Sequence, residues 1–202
     1  MSTQARPFPA TADVNNLFVE IPHRLTAEEF FAFTRHTERQ YQLLNGRPRM
    51  NPAPLMKHQR IIGNVYLLLD RFARSNALGE VWLAPCDVVF DRFNVVQPDV
   101  FFVSTERAHI VTEKNVQGAP DLIVEILSAS TADVDRGYKR HLYAVHGVNE
   151  YWLVDPDARQ VEVLALGETG YVTAGIYGED EIVASPLLTG LRIAVNDIFA
   201  GA

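Results

Sequence analysis

Asp121-Leu122-Ile123-Val124-Glu125-Ile126-Leu127-Ser128 is the stretch on which the reading of this chain turns. Between its ends every residue except Glu125 is aliphatic. Such a run marks a strand covered on both faces, as in sheets flanked by helices. Alternation along the strand sets Asp121, Ile123, Glu125 and Leu127 on one face. A carboxylate among Val, Ile and Leu is costly to bury unless something offsets its desolvation. A divalent cation suits the task, because hard cations take carboxylate oxygens. The other reading is a buried ion pair with Lys139 or an arginine. Asp121 and Glu125 lie roughly 13 Å apart at about 3.3 Å per residue, too far to share one ion. Asp121 follows Pro120 at the strand mouth and reads as a turn cap or an acceptor of backbone N–H groups.

Working outward, a second acid stands in Gln97-Pro98-Asp99-Val100. Its strand precedes the buried one and can pair beside it, which would bring Asp99 to Glu125. The other reading of Asp99 is a turn or bulge acid after a proline at a strand start. Downstream, Ser130 or Thr131 can cap a helix, and Gly147 suits its C′ position. Val134, Tyr138, Leu142 and Val145 form the expected core stripe of that helix. Lys139 falls at about 140° from Val134, on the flank of the stripe. From there it reaches toward Glu125, or forms a surface i, i+4 pair with Asp135. Tyr143 lies one turn further along the same flank. Acid, acid and lysine on a strand-rich α/β chain is what metal-dependent phosphodiester cleavage needs: carboxylates for the ion and a point charge for the phosphate.

The remaining elements follow from local signals. Thr26-Ala27-Glu28-Glu29 is a capping box that opens a helix carrying Phe30, Phe31 and Phe33. Gln40 to Arg47 reads as a strand running into a tight turn at Asn45-Gly46. Ile61, Val65, Leu68 and Phe72 mark one face of a long helix over Lys57–Ser75. Glu80 to Val103 reads as a hairpin turning at Asp91–Asn94, and 104–119 as a loop or short helix. Strands are expected over 150–154, 161–166, 171–174, 181–183 and 191–195. His58 lines a cleft or caps its helix, and His141 is expected to pack in the core. Arg136 and Arg140 are either solvated or in reach of phosphates, and Trp82 and Trp152 pack the core. No nucleophile elbow surrounds Ser128 or Ser130. Neither a P-loop nor a dinucleotide fingerprint is present.

The 202 residues are 48% hydrophobic and 21% charged, as in a globular protein. We expect a loose arm over 1–21 and one domain over 22–202. No apolar run approaches a membrane span, and Met1 to Asp13 lacks a signal-peptide pattern. The lone Cys86 offers neither an internal disulfide nor a cysteine zinc site, which fits a cytoplasmic protein. A net charge of −7 argues against a general nucleic-acid binder. It leaves room for a nuclease with a locally basic surface.

The stretches Gln97–Val100 and Gly118–Ser128, with Ser130-Thr131, Asp135, Lys139, Tyr143 and Gly147–Pro156, together resemble the Uma-two family of restriction-endonuclease-like proteins, within the PD-(D/E)XK nuclease superfamily. Tyr41–Gly46 and His58 fit the family's opening pattern, so the resemblance covers most of residues 25–200. It implies an α/β fold, a restriction-endonuclease-like mixed β-sheet flanked by α-helices with additional C-terminal β-strands. It also implies a magnesium or manganese site, with DNA as partner. A homodimer is expected on a separate ground: nucleases that cut both strands often pair, and the apolar C-terminal strands could provide an interface. Carried over, Asp99 and Glu125 bind the metal with the backbone carbonyl of Ile126, and Lys139 is the catalytic lysine. Gln42, His58, Asp135 and Tyr143 line the cleft. Superfamily members usually carry the lysine two residues after the strand acid, where this chain has Leu127; Lys139 is then a lysine moved to the helix. The family also commonly has an acid where this chain has Gln42, and an amide there removes a charge and weakens metal binding. The alternative is a catalytically silent module that binds nucleic acid or protein on the same fold.

Overall fold

The computed structural model describes Val19, Ile21 and residues 23–202, so most of the expected N-terminal arm lies outside the described residues. Helix α1 (Ala27–Thr34) starts at the expected capping box: Thr26 Oγ1 accepts the Glu29 N–H at 3.3 Å, and the Glu29 carboxylate accepts the Thr26 N–H at 2.8 Å. Strands β1 (Tyr41–Leu44) and β2 (Arg47–Met50) are joined by Asn45-Gly46, with φ of 51° and 75°. Two positive φ values are what a two-residue type I′ hairpin requires. That turn sets Leu44 opposite Arg47 and Gln42 opposite Arg49. Helix α2 (Met56–Ser75) buries Ile61, Ile62, Val65, Leu69 and Ala73. Leu68 and Phe72, expected at the centre of its stripe, are only partly buried. The helix packs at once on a sheet and on Val195, Ile198 and Phe199 near the C-terminus, which turns its core face toward Leu69 and Ala73.

The hairpin expected over 80–103 is broken on both arms. It comprises β3 (Gly79–Leu83), β4 (Val88–Asp91), β5 (Asn94–Val96) and β6 (Val100–Ser104). Pro85 and Pro98 stand at the two breaks, and proline has no N–H to give to a ladder. The tip, β4 and β5, joins a five-stranded sheet of order β2-β1-β5-β4-β7, where β7 is Val116–Gln117. The base, β3 and β6, joins a six-stranded sheet with β8 (Leu122–Ile126), β9 (Glu150–Asp155), β10 (Gln160–Gly167) and β11 (Gly170–Tyr177), in the order β11-β10-β9-β8-β6-β3. One hairpin therefore ties the two sheets together.

β8 is central and buried at all five positions, parallel to β9 and antiparallel to β6. Leu122, Val124 and Ile126 face the core shared with α2, whereas Ile123 and Leu127 face a second core containing Leu142, Tyr143 and the five-stranded sheet. The β8–β9 connection runs through α3 (Ala132–Val134), a π turn over Asp135–Lys139 and α4 (Arg140–Val145). The π turn overturns the expected placing of Val145 and His141. Val145 is 66% exposed and His141 is also exposed, instead of facing the core. A π turn takes up an extra residue, so the downstream face advances by about 100°. Leu142 and Tyr143 then point inward. β12 (Ile182–Ala184), β13 (Arg192–Ala194) and α5 (Val195–Ile198) complete the chain.

Candidate active site

The register of the six-stranded sheet brings the two acids together. Val100 pairs with Val124, so one step further along the antiparallel ladder Asp99 comes beside Glu125 on the same face. Asp99 Oδ2 accepts the Ile126 N–H at 2.8 Å. Glu125 is 3% exposed, and its Oε1 accepts from Lys139 Nζ at 2.9 Å and from the Tyr143 hydroxyl at 2.7 Å. Lys139 also meets Asp135 Oδ1 at 3.0 Å. Asp135, Lys139 and Tyr143 are spaced by four, so they follow one another at about one turn along the π turn and α4. The surface pair of Lys139 with Asp135 is thus replaced by a buried triad with Glu125. Tyr143 does not line the cleft: it is fully buried and touches Glu125 from behind, because the phase advance at the π turn drives it into the core.

The other expected residues line one cleft of about 460 Å³, which includes Asp99, Glu125, Ile126, Asp135, Lys139, Gln42 and His58. His58, on the first turn of α2, places Nε2 3.0 Å from the Ile126 carbonyl oxygen and 3.4 Å from Asp99 Oδ2. A carbonyl accepts only from a protonated nitrogen, so Nε2 carries the proton. His58 Nδ1 is buried with no hydrogen-bond partner. Gln42 belongs to a chain of amides. Its Nε2 donates to Asn51 Oδ1 at 2.7 Å, Asn51 Nδ2 donates to Gln97 Oε1 at 3.1 Å, and Gln97 Nε2 donates to Asp87 Oδ1 at 2.9 Å. The Gln97 backbone N–H returns to Gln42 Oε1 at 3.3 Å.

Arg49 is a residue that sequence reasoning missed. It is 4% exposed and donates to the Ser130 carbonyl at 2.7 Å, tying β2 to the loop after β8. The signal was present: a two-residue turn at Asn45-Gly46 places Arg49 opposite Gln42 by register alone. Elsewhere Asp121 accepts the Ser104 N–H at 2.8 Å and pairs with Arg107 at 3.2 Å, a structural role at the strand mouth. Arg136 is held by Glu162 and Asp155, and Arg140 donates to the Tyr171 carbonyl.

Burial pushes the Glu125 carboxyl up to about 8; Lys139 pulls against this, while Asp135 and Asp99 add to it. Burial lowers Lys139, but Asp135 and Glu125 outweigh it and hold the ammonium above its ordinary range. His58 is likewise lowered by burial and raised past its ordinary value by Asp99. Asp99, Glu125 and Asp135 thus gather on one cleft, the last two around the single ammonium of Lys139. A cation fits this donor set, since hard ions take carboxylate and carbonyl oxygens. Among the described residues no group of three or more His, Cys, Asp or Glu side chains is placed to hold a metal. Magnesium fits such a site, because it commonly uses one or two carboxylates and takes its other oxygens from water and phosphate.

Residues 27–196 match the Uma2 family, described as "Putative restriction endonuclease". The chain belongs to the Uma2 family. Among chains of known structure, this Uma2 chain is similar to one described as a putative nuclease belonging to DUF820 from Anabaena variabilis ATCC 29413, at a TM-score of 0.73 and 22% identity. The match covers 87% of this chain and 97% of that one, which shows a shared fold. No curated protein matches. Within the Uma2 chain no helix of the described residues is long and apolar enough to cross a membrane.

Proposed function

We propose that the cleft hydrolyses DNA phosphodiester bonds with a divalent metal, magnesium or manganese. The observation that carries the reading is the convergence of Asp99, Glu125 and Lys139 on one cleft, from the residue before β6, from β8 and from the π turn. Asp99 and Glu125 would hold the ion with the Ile126 carbonyl, whose second lone pair remains after His58 takes the first. A bound divalent ion lowers the pKa of its water and neutralises charge on the phosphate. Lys139 stays charged beside Asp135 and presents a fixed cation to the scissile group. Tyr143 and Asp135 orient Lys139 and Glu125, and His58 steadies Asp99. Gln42, Asn51 and Gln97 line the cleft as fixed donors and acceptors, and Asp87 anchors their chain from outside the lining.

A second reading, a binding module without catalysis, is favoured by Gln42, whose oxygen already accepts from the Gln97 N–H. Nicking of supercoiled plasmid in Mn²⁺ or Mg²⁺ separates the two. The nuclease reading predicts metal-dependent nicking by the wild type and none by Asp99→Ala. Nicking that survives Asp99→Ala contradicts the site assignment, and a wild type that never nicks favours the binding module.

A further inference from the structure

Helix α2 has an outer face that the cleft does not use. Its 20 residues include four cations, Lys57, Arg60, Arg71 and Arg74, and one acid, Asp70, in a chain whose net charge is −7. At about 100° per residue, Arg60, Leu67, Arg71 and Arg74 all fall within about 60° of Met56, opposite the buried Val65 and Leu69. The three arginines are exposed, and Leu67 is 64% exposed. Asp70 engages Arg74 at 2.8 Å. Gly63 lies on the same face, and no atom stands within 4 Å of the Cβ position it lacks, so the face is flat between Arg60 and Leu67. The N-terminal end of α2 reaches the cleft, which Pro52, Pro54, Leu55 and His58 line, and Leu55 and the adjacent Met56 are 75% and 85% exposed there.

We propose that the outer face of α2 is the track on which nucleic acid docks. The sugar–phosphate backbone lies along Arg60, Arg71 and Arg74, and Leu55 and Met56 press on a base where the strand enters the cleft. The inference rests on the phosphodiesterase reading of that cleft and names how its substrate is held. Charge complementarity selects the partner: the basic face stands out on an acidic chain, and a polyanion is what it complements. Length agrees, since Arg60 to Arg74 spans about 21 Å, or roughly six phosphates at about 3.4 Å of axis per nucleotide of one strand. The apolar tip answers a separate need. Glu125 and Lys139 line the cleft and are each 3% exposed, so the backbone must leave its regular helical path to bring a phosphate to them, which unstacks the neighbouring bases. Apolar side chains that wedge between bases are a known means of unstacking a strand.

The test is binding of a fluorescent 20-base-pair DNA to the full chain, followed by anisotropy in EDTA from 50 to 200 mM salt. The variant Arg60→Gln/Arg71→Gln/Arg74→Gln changes exposed side chains, and its melting temperature verifies that it folds. The track predicts at least a tenfold loss of affinity in the variant at low salt. It also predicts that the slope of log K against log salt falls by about 0.9 for each phosphate that the variant no longer neutralises. Met56→Ser is expected to weaken binding several-fold while leaving that slope unchanged. A variant with wild-type affinity and slope overturns the track, as does a wild type that binds no DNA at low salt. Binding is read without metal, so the two readings fail separately. A chain that loses DNA with the arginines yet cuts nothing in Mn²⁺ supports the track and overturns the cleft reading. A chain whose cutting depends on Asp99 but whose binding ignores the arginines overturns the track alone.

Discussion

Glu125 stands between opposing demands: burial favours its neutral form, and Lys139 favours the charged one. Its folded value of about 8 lies above the ordinary 4.5, so the native state keeps a proton that the unfolded chain releases over that interval. Stability from this group is therefore full below the ordinary value and is lost as pH rises toward 8. Urea midpoints of the metal-free protein should decline from pH 5 to 8, and Glu125→Gln should flatten the decline. An equal decline in the variant would remove Glu125 as its source. The triad with Asp135 makes Lys139 costly to lose, because its removal strands buried acids. Lys139→Met should lower unfolding stability by about 3 kcal/mol, and adding Glu125→Gln should recover part of that. A double variant no more stable than the single one would show that Glu125 does not depend on Lys139.

At the scale of elements, β3 and β6 lie so close that a side chain at Gly79 has no room. A Cβ there would stand 2.2 Å from the Val103 carbonyl oxygen and 2.7 Å from Ser104 Cα, both backbone atoms. Gly79→Ala should cost about 3 kcal/mol or more, read as a lowered melting temperature; a change near zero would mean that the pair separates freely. Much of this architecture was legible in the sequence: the capping box at Thr26, the hairpin turn at Asn45-Gly46 and the doubly buried β8 all rest on local patterns. The pairing of Asp99 with Glu125 was legible once the strands were assigned to one sheet. What escaped depended on interruptions of period. The π turn displaced the helical stripe after Tyr138, so His141, Tyr143 and Val145 were misplaced. Pro85 and Pro98 divided one apparent hairpin between two sheets. Arg49 escaped because β2, read as part of a turn, was never extended as a strand.

At the scale of the whole molecule, two sheets joined by a divided hairpin form the cleft between them. The six-stranded sheet supplies Glu125 and, at the entry to β6, Asp99; the five-stranded sheet supplies Gln42, and Arg49 of β2 ties it to the loop after β8. Both cores press on β8: α2 on one face and α4 on the other. The strand is thereby fixed at the point where the candidate metal ligands project, which is the rigidity that a catalytic constellation requires. The electrostatics follow the same division, with acids gathered in the cleft and cations on the outer face of α2. The central claim is that Glu125 belongs to a metal site rather than to an ion pair alone. Calorimetric titration of Mn²⁺ into the wild type and Glu125→Gln, each with and without a DNA duplex carrying a non-hydrolysable backbone, tests it most directly. A metal site at Glu125 predicts binding by the wild type that Glu125→Gln loses. Binding retained by the variant, or no binding by the wild type even with DNA present, would contradict it.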